Sequence, residues 1–428
     1  MKKLLLFFLL LVGFNNVFAQ SVAHERCAAF QRGINLSNWL EAPWQTDWPT
    51  STGYTKSDLQ NMKDAGMHSL RLPINFAEIT DTVYPFTVDT AHVLFQRIDS
   101  VIKWADELNM NLIIDNHHGW ELTNENWRSY KDRFATMWAV VAKRYQNLDS
   151  EHYFFELLNE PPIAFNDLDS LNLLFNTAID SIRLYTMQHS IVVSPNLGSW
   201  GMAFNLYRPL ADTNLIYTWH CYDPIDFTHQ GFSWTSPPYP SGTPFPNPSS
   251  FYEQFLYTGL ERIIHWKDTF DMPLFLGEFG VSEHADAESR CRWMQLITHT
   301  TDSMQIPWFY WDWRWDFSMF NSHIVSEDSI IPCFKYALHL YSDTISGVEE
   351  NALLPSDKLI IYPNPTASTF TVSGVNLPFT VAIFDVCGKQ VYTGDNAFQH
   401  SVSNLSAGVY TLIISSKQQR FFRKLMKQ

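Results

Sequence analysis

Two glutamates in this chain are placed where a carboxyl group is more than a surface charge. Glu160 sits in Leu158-Asn159-Glu160-Pro161-Pro162, directly after an apolar run, and the prolines stiffen the turn that holds it. Glu278 follows Pro273-Leu-Phe-Leu276 and is flanked by Gly277 and, two residues on, Gly280, small residues expected to allow close approach of a ligand. A protonated and an ionised carboxyl facing each other form the machinery of glycoside hydrolysis. One protonates the departing oxygen while the other attacks the sugar or activates water. Taken singly, each glutamate has the alternative reading of a surface or helix-capping residue; the pair, with its polar neighbours, points to chemistry.

Those neighbours recur after other apolar runs: Arg71-Leu-Pro-Ile, Asp115-Asn-His117-His118, His220-Cys-Tyr222 and Tyr310-Trp311-Asp312-Trp313. Arg71 suits a charge-assisted bond that keeps a nucleophilic carboxylate ionised. Tyr222 can donate to the same group, and His220 can orient or tune the acid/base. Asn159 suits a hydrogen bond to a sugar 2-hydroxyl, and His117 and His118 suit contacts to other hydroxyls. The competing readings are a structural ion pair for Arg71, satisfied interior side chains for the histidine pair, and a metal site from His117, His118 and His220. The carboxylates, aromatics and asparagine around them suit a sugar better than zinc, so no metal or other cofactor is expected.

Such residues need a scaffold that delivers them to one place. From about Arg32 to Tyr341, short apolar runs alternate with longer amphipathic stretches. The expected strands are 33–36, 68–72, 112–115, 153–157, 190–194, 215–219, 273–276 and 308–310. The expected helices include 57–65, 92–108, 129–145, 171–187, 252–266 and 288–304. Alternation of this kind implies a parallel sheet, and runs such as Asn111-Leu-Ile-Ile114 imply burial on both faces. Eight units predict an α/β fold closed as a (β/α)8 barrel, in which reactive residues gather at the C-terminal strand ends. The fourth and seventh strands would then set Glu160 and Glu278 across one cleft. An open sheet is the alternative, but no Gly-rich phosphate loop follows the first strand.

Composition agrees with a carbohydrate cleft. Aromatic residues make up 15 % of the 428 and include sixteen Trp, suited equally to a large core and to stacking on flat sugar faces. The net charge of −15 argues against nucleic acid and anionic membranes as partners. The last 81 residues carry +2 and the first 19 another +2, leaving about −19 on residues 20–347. Residues 1–19, with Lys2, Lys3, an apolar run and Val17-Phe-Ala19, read as a signal peptide too short to span a bilayer. Five Cys (27, 221, 291, 333, 387) have no metal-type spacing and suggest no pairing. Residues 20–345 are read as the barrel, 346–357 as a polar linker, and 358–428 as a small antiparallel, β-sandwich-like domain of short alternating strands with no evident chemistry.

The ordered set Arg71, Asn159-Glu160-Pro161, His220-x-Tyr222, Glu278 and Trp311 resembles glycoside hydrolase family 5 (cellulase family A) over residues 32 to about 341. The resemblance implies a retaining double displacement with Glu160 as acid/base, Glu278 as nucleophile, and carboxyl groups about 5–5.5 Å apart. The segments Gly33–Pro43 and Tyr222–Gly231 are similar to bacterial members acting on β-1,4-glucans and, in some cases, mannans. That similarity implies Asn38, Glu41, His118 and His229 as substrate contacts, and Trp311 as the platform beneath the sugar at the scissile bond. Trp39, where those relatives tend to carry a small residue, and the loop 234–248 depart from the pattern and are expected to reshape the cleft.

The tail, with Tyr362-Pro-Asn-Pro, Phe384-Asp-Val-Cys-Gly-Lys389 and a basic end, resembles the C-terminal sorting domain of the type IX secretion system. This implies export through the periplasm to the surface or medium, with removal of the tail. A sugar-binding module is the alternative, but the tail has no Trp. The resemblances together imply a secreted, monomeric, retaining endo-β-1,4-glucanase. Its partners would be a β-glucan or β-mannan polysaccharide and the type IX machinery. A mannanase or other β-glucanase is the first alternative, and a non-catalytic polysaccharide-binding surface protein is the rival from another class. An esterase is disfavoured, since no Gly-x-Ser-x-Gly elbow occurs in the relevant place.

Overall fold

The computed structural model describes residues 21–320 except 46, 50–52 and 248; residues 330–331 and 334–335; and residues 360–427 except 364–365, 374–377, 385–389 and 417–419. The expected signal peptide and linker lie outside the described residues. The chain divides into two compact units, Met1–Ser342 and Asp343–Gln428.

In the first unit, strands β1 (Arg32–Asn35), β2 (Ser69–Ile74), β3 (Asn111–Asn116), β4 (Tyr153–Glu156), β5 (Ile191–Val193), β6 (Leu215–Cys221), β7 (Leu274–Phe279) and β8 (Trp308–Tyr310) form a closed barrel. Neighbouring strands pair in parallel, and β1 closes the ring against β8. The expected (β/α)8 architecture is therefore present. Its helices are α1 (Val22–Ala29), α2 (Lys56–Asp64), α3 (Val93–Leu108), α4 (Trp127–Tyr145), α5 (Leu168–Arg183), α6 (Ile225–Thr228), α7 (Glu253–Phe270) and α8 (Ala287–Ser303).

Capping sets several of the helix starts. Thr55 and Asp58 form a reciprocal capping box on α2, and Asp286 caps α8. Asp167 accepts from the Asp169 and Ser170 N–H groups, so α5 begins three residues before its expected start at Leu171. The β5–β6 connection departs from the regular alternation, having only a 3-10 turn at Gly201–Asn205.

Strand alternation sorts the barrel interior into layers. Ile113, Phe154, Val192, Ile216, Phe275 and Phe309 form an apolar layer within it. Two residues farther along β3 and β4, Asp115 and Glu156 occupy the same phase and meet Arg71 of β2. Outward residues such as Leu70, Leu72, Leu112 and Ile114 pack instead into the large core beneath the helices.

The floor of the barrel is closed by a segment for which the sequence suggested no element. Helix α1 brings Ala23, Cys27 and Phe30 onto the apolar layer. The Phe30 ring meets Phe154, Phe275 and Phe309 edge-on, with centroids 4.7, 5.2 and 5.6 Å away. Of the cysteines, Cys27 and Cys221 are free and buried, and Cys291 is disulfide-bonded. No described helix is long and apolar enough to cross a membrane.

The second unit is antiparallel, as expected. Strands β9 (Ile360–Tyr362), β10 (Thr369–Ser373), β11 (Phe379–Phe384), β12 (Gln390–Asp395), β13 (Gln399–Ser401), β14 (Gly408–Ser416) and β15 (Arg420–Lys427) form a three-stranded sheet, β13-β10-β9, and a four-stranded sheet, β12-β11-β14-β15. Alternate residues of β10 and β11 face a core containing Phe370, Val372, Phe379, Val381, Ile383, Leu412 and Ile414.

The floor plug yields a stability prediction. Phe30→Ala removes a fully buried ring from three aromatic contacts and should cost about 3–5 kcal/mol in denaturant unfolding of the barrel. A cost below about 1 kcal/mol would mean that the layer collapses around the gap.

Candidate active site

Strand β2 and the C-terminal ends of β4, β6 and β7 bring six of the expected residues together: hydrogen bonds join Arg71, Asn159, Tyr222 and Glu278, and another joins Glu160 to His220, whose Nδ1 lies 3.7 Å from Glu278 Oε2. Arg71 is wholly buried, and its five N–H donors are all occupied. Nε and NH2 make a bidentate pair with Glu156 at 2.7 and 2.8 Å. NH1 donates to Asn35 Oδ1 at 3.0 Å and to Glu278 Oε1 at 2.7 Å, and NH2 also donates to Asn159 Oδ1 at 2.7 Å. Asp115 Oδ2 stands 3.1 Å from the same guanidinium. Three buried acids therefore share one cation.

Glu278 is fixed from a second side by the Tyr222 hydroxyl, which donates to Oε2 at 2.9 Å. A register shift in the β6–β7 pairing between Trp219 and His220 sets His220 opposite Glu278. The neighbouring glycines are required by packing. A Cβ on Gly277 would lie 2.4 Å from Thr218 Oγ1, and one on Gly280 would lie 1.9 Å from the Trp311 carbonyl oxygen.

Glu160 has different surroundings. Its Oε1 lies 2.7 Å from His220 Nδ1, and 40 % of its side-chain surface remains open, against 6 % for Glu278. Single ligand atoms of Glu160, His220 and Glu278 all lie within 4.8 Å of one another. Among the described residues this trio is the one group whose spacing would allow a metal ion, but the guanidinium bonded to Glu278 opposes a cation there.

The electrostatics separate the two carboxyls. Desolvation by the cleft walls raises Glu160 to about 7, with only Arg71 pulling it down. Burial also pushes Glu278 upward, but His220, Arg71 and the Tyr222 hydroxyl all act against that rise. Glu278 thus has a bonded cation favouring its ionised form, and Glu160 has none. Burial holds His220 down at about 4, so its imidazole is neutral at pH 7 and can accept from protonated Glu160. Asp115, raised to about 7 by burial, lies 2.7 Å from His117 Nδ1.

The expected contact residues surround this group in different states. His117 stacks on Trp311 with ring centroids 5.5 Å apart and planes 9° apart. His118 Nε2 bonds the Glu41 carbonyl oxygen at 2.6 Å. The Glu41 carboxylate accepts from the Asn38 and Trp39 N–H groups, and Asn38 has a left-handed backbone with φ of 53°. His229 meets Tyr222 at 5.1 Å and the exposed Trp234 at 5.5 Å. Trp39 corrects an expectation: it is buried beside Tyr54 and forms core, not cleft wall.

Sequence reasoning missed Glu156 and Asn35, and assigned Asp115 and Asp312 no role. The signal for Glu156 was a charged residue inside Tyr153-Phe-Phe-Glu156, two positions after Phe154 and so on the inward face. Asp312 is buried, accepts from Ser37 Oγ and Trp315 N–H, and anchors the turn that carries Trp311.

Comparison with known proteins agrees with this geometry. Residues 25–316 match the family model described as cellulase (glycosyl hydrolase family 5), and residues 360–428 match a secretion system C-terminal sorting domain. The tail supports secretion or a cell-surface location. Endoglucanase 3 of Fibrobacter succinogenes is 30 % identical over 340 residues, covering 68 % of this chain and 50 % of that protein. Endoglucanase H of Acetivibrio thermocellus is 28 % identical over 65 % of this chain and 29 % of its own length. The chain thus spans half or less of these two relatives. Thermotoga maritima Cel5A, solved with cellobiose, superposes with a TM-score of 0.66 at 28 % identity, covering 74 % of this chain and 99 % of that one. The same protein has also been solved with mannotriose, and there the TM-score is 0.63 at 27 % identity, over 72 % of this chain and 100 % of that one. With the match extending across the barrel and a carboxyl pair at the C-terminal ends of its strands, the chain belongs to glycosyl hydrolase family 5.

Proposed function

We propose that the chain is a secreted, retaining endo-β-1,4-glucanase, with Glu278 as nucleophile and Glu160 as acid/base. The observation that carries this reading is the unequal environment of two carboxyls that each bring an oxygen within 4.8 Å of the other's: Glu278 bonded to Arg71 and Tyr222, Glu160 bonded to a neutral His220. The short separation favours direct attack over an intervening water, as in retaining enzymes.

In the first step a Glu278 oxygen bonds to the anomeric carbon while the glycosidic C–O bond breaks, and the Glu160 proton passes to the leaving oxygen. Arg71 and Tyr222 hold Glu278 in place and favour its ionised form. Asn159, whose carbonyl is taken by Arg71, keeps its N–H2 for the sugar 2-hydroxyl. In the second step Glu160, now a carboxylate, takes a proton from water as the water oxygen displaces Glu278, and the original anomeric configuration returns. Asn38, Glu41, His117, His118, His229 and Trp311 are proposed to line the sugar sites.

β-Mannan is the second candidate substrate, because a relative of similar fold has been solved with both cellobiose and mannotriose. The C-terminal domain is proposed to direct export by the type IX machinery after passage through the periplasm.

Two measurements test the mechanism. Glu160→Gln should lower kcat/KM on polymer by about 10²–10⁴-fold but less on an aryl glycoside whose leaving group needs no proton. Glu278→Gln should abolish turnover of both, with folding intact by circular dichroism. Appreciable turnover by Glu278→Gln, on either substrate, removes it as nucleophile. Parallel assays on carboxymethylcellulose, lichenan, glucomannan, galactomannan and laminarin define the polymer, and activity on laminarin alone would overturn the β-1,4 assignment.

The pH profile tests the proton's location. Glu160 acts as an acid only while protonated, and its raised value of about 7 means that the proton is present below that pH and lost above it. The kcat/KM profile should therefore carry an alkaline limb near pH 7, and Glu160→Gln should lack that limb on the aryl glycoside. An unchanged limb in the variant would assign it to another group.

A further inference from the structure

We propose that Trp44 and Trp120 form a stacking platform for an additional sugar unit of the polysaccharide, beyond the units that reach the two carboxyls; the inference rests on the glycosidase reading of the barrel. Trp44 lies in the loop after β1 and Trp120 in the loop after β3, the strands on either side of β2. These residues are 61 % and 65 % exposed, yet their rings meet with centroids 5.9 Å apart and planes inclined by 31°. Two large indole rings held side by side in solvent present an apolar face that a ligand can cover.

Continuity with the site identifies the occupant. Trp120 lies against His118 with centroids 3.7 Å apart, His118 meets His117 at 5.1 Å, and His117 stacks on Trp311 at 5.5 Å. The rings thus form an unbroken series from Trp311, which follows β8, out to the exposed pair. The bond from His118 Nε2 to the Glu41 carbonyl fixes the middle of that series. Indole faces offer apolar contact without charge, which suits the C–H face of a neutral pyranose, and the net charge of −15 disfavours an anionic chain. A polymer already threaded through the carboxyl pair would meet this platform with no separate docking step.

The test uses the full chain with Trp44→Ala, Trp120→Ala and the double variant. The kcat/KM is read on cellotriose through cellohexaose and on an aryl β-cellobioside. Binding is read as retardation in native gels containing hydroxyethylcellulose or glucomannan, which needs no turnover. The double variant should keep the parent's aryl-cellobioside activity and thermal midpoint, lose about tenfold or more on cellohexaose, and migrate faster in the polysaccharide gels. Equal losses at every chain length would overturn the platform, because the rings would then be supporting the fold. Unchanged activity on long chains with unchanged retardation would overturn it as well. Should the parent turn over none of these substrates, the glycosidase reading fails separately. The platform then stands if the double substitution abolishes the parent's retardation, and falls if retardation is absent in the parent or survives the change.

Discussion

The buried guanidinium of Arg71 is the interaction on which the rest of the site depends. It carries one positive charge into the barrel interior and spends all five donors on Glu156, Asn35, Asn159 and Glu278. Burial alone would favour losing that charge, but Asp115, Glu156 and Glu278 together hold it well above its ordinary range. Burial raises Asp115 and Glu156 against the pull of Arg71, helped by the charge of Glu160 on Asp115 and of Asp115 on Glu156. Such a layer tolerates little change, since breaking a buried ion pair typically costs about 3–5 kcal/mol. Lysine could keep the charge but not the planar fork that spans four partners.

This layer exists because the strand period is two and the barrel is closed. Inward positions on β2, β3 and β4 hold Arg71, Asp115 and Glu156 at adjacent points on the ring. Below them the interior is filled by Ile113, Phe154, Phe275 and Phe309, with Phe30 closing the floor. The apolar layer excludes water from beneath the charges, which strengthens each bond to Arg71 and makes an unpaired acid expensive. Where strict alternation would misdirect a side chain, the ladder is broken: the shift at Trp219/His220 sets His220 beside Glu278.

Much of this was legible in the sequence, because strand ends declare themselves by an apolar run followed by a titratable residue. Arg71, Asn159, Glu160, His220, Tyr222 and Glu278 all stand at or just after such runs, and they meet at one site, Glu160 through His220 and the others through Arg71 and Glu278. Glu156 and Asn35 were harder to read, being polar residues inside short strands. Recognising them requires the phase of the strand relative to the barrel axis. Helix α1 was illegible for another reason. Eight residues of weak amphipathic pattern gain their meaning from the phenylalanines they cover, and those come from three distant strands. Trp39 illustrates the converse error: a large aromatic in a cleft-forming loop turns inward beside Tyr54.

The same distinction explains why the chemistry is easier to read than the sugar. The proposed nucleophile and its supports stand on strands whose register fixes them, and the protein satisfies most of their polar atoms. The proposed acid lies one step outward, with one face on His220 and 40 % of its side chain open to the cleft. Farther out, Trp44, Trp120 and Trp234 are carried by loops, and their exposure follows from how those loops pack, which no local pattern encodes. Going outward from Arg71, control passes from strand register to loop packing. On the proposed mechanism, bond cleavage belongs to the inner zone and chain recognition to the outer one, so loop changes would alter the polymer gripped without disturbing the carboxyl pair.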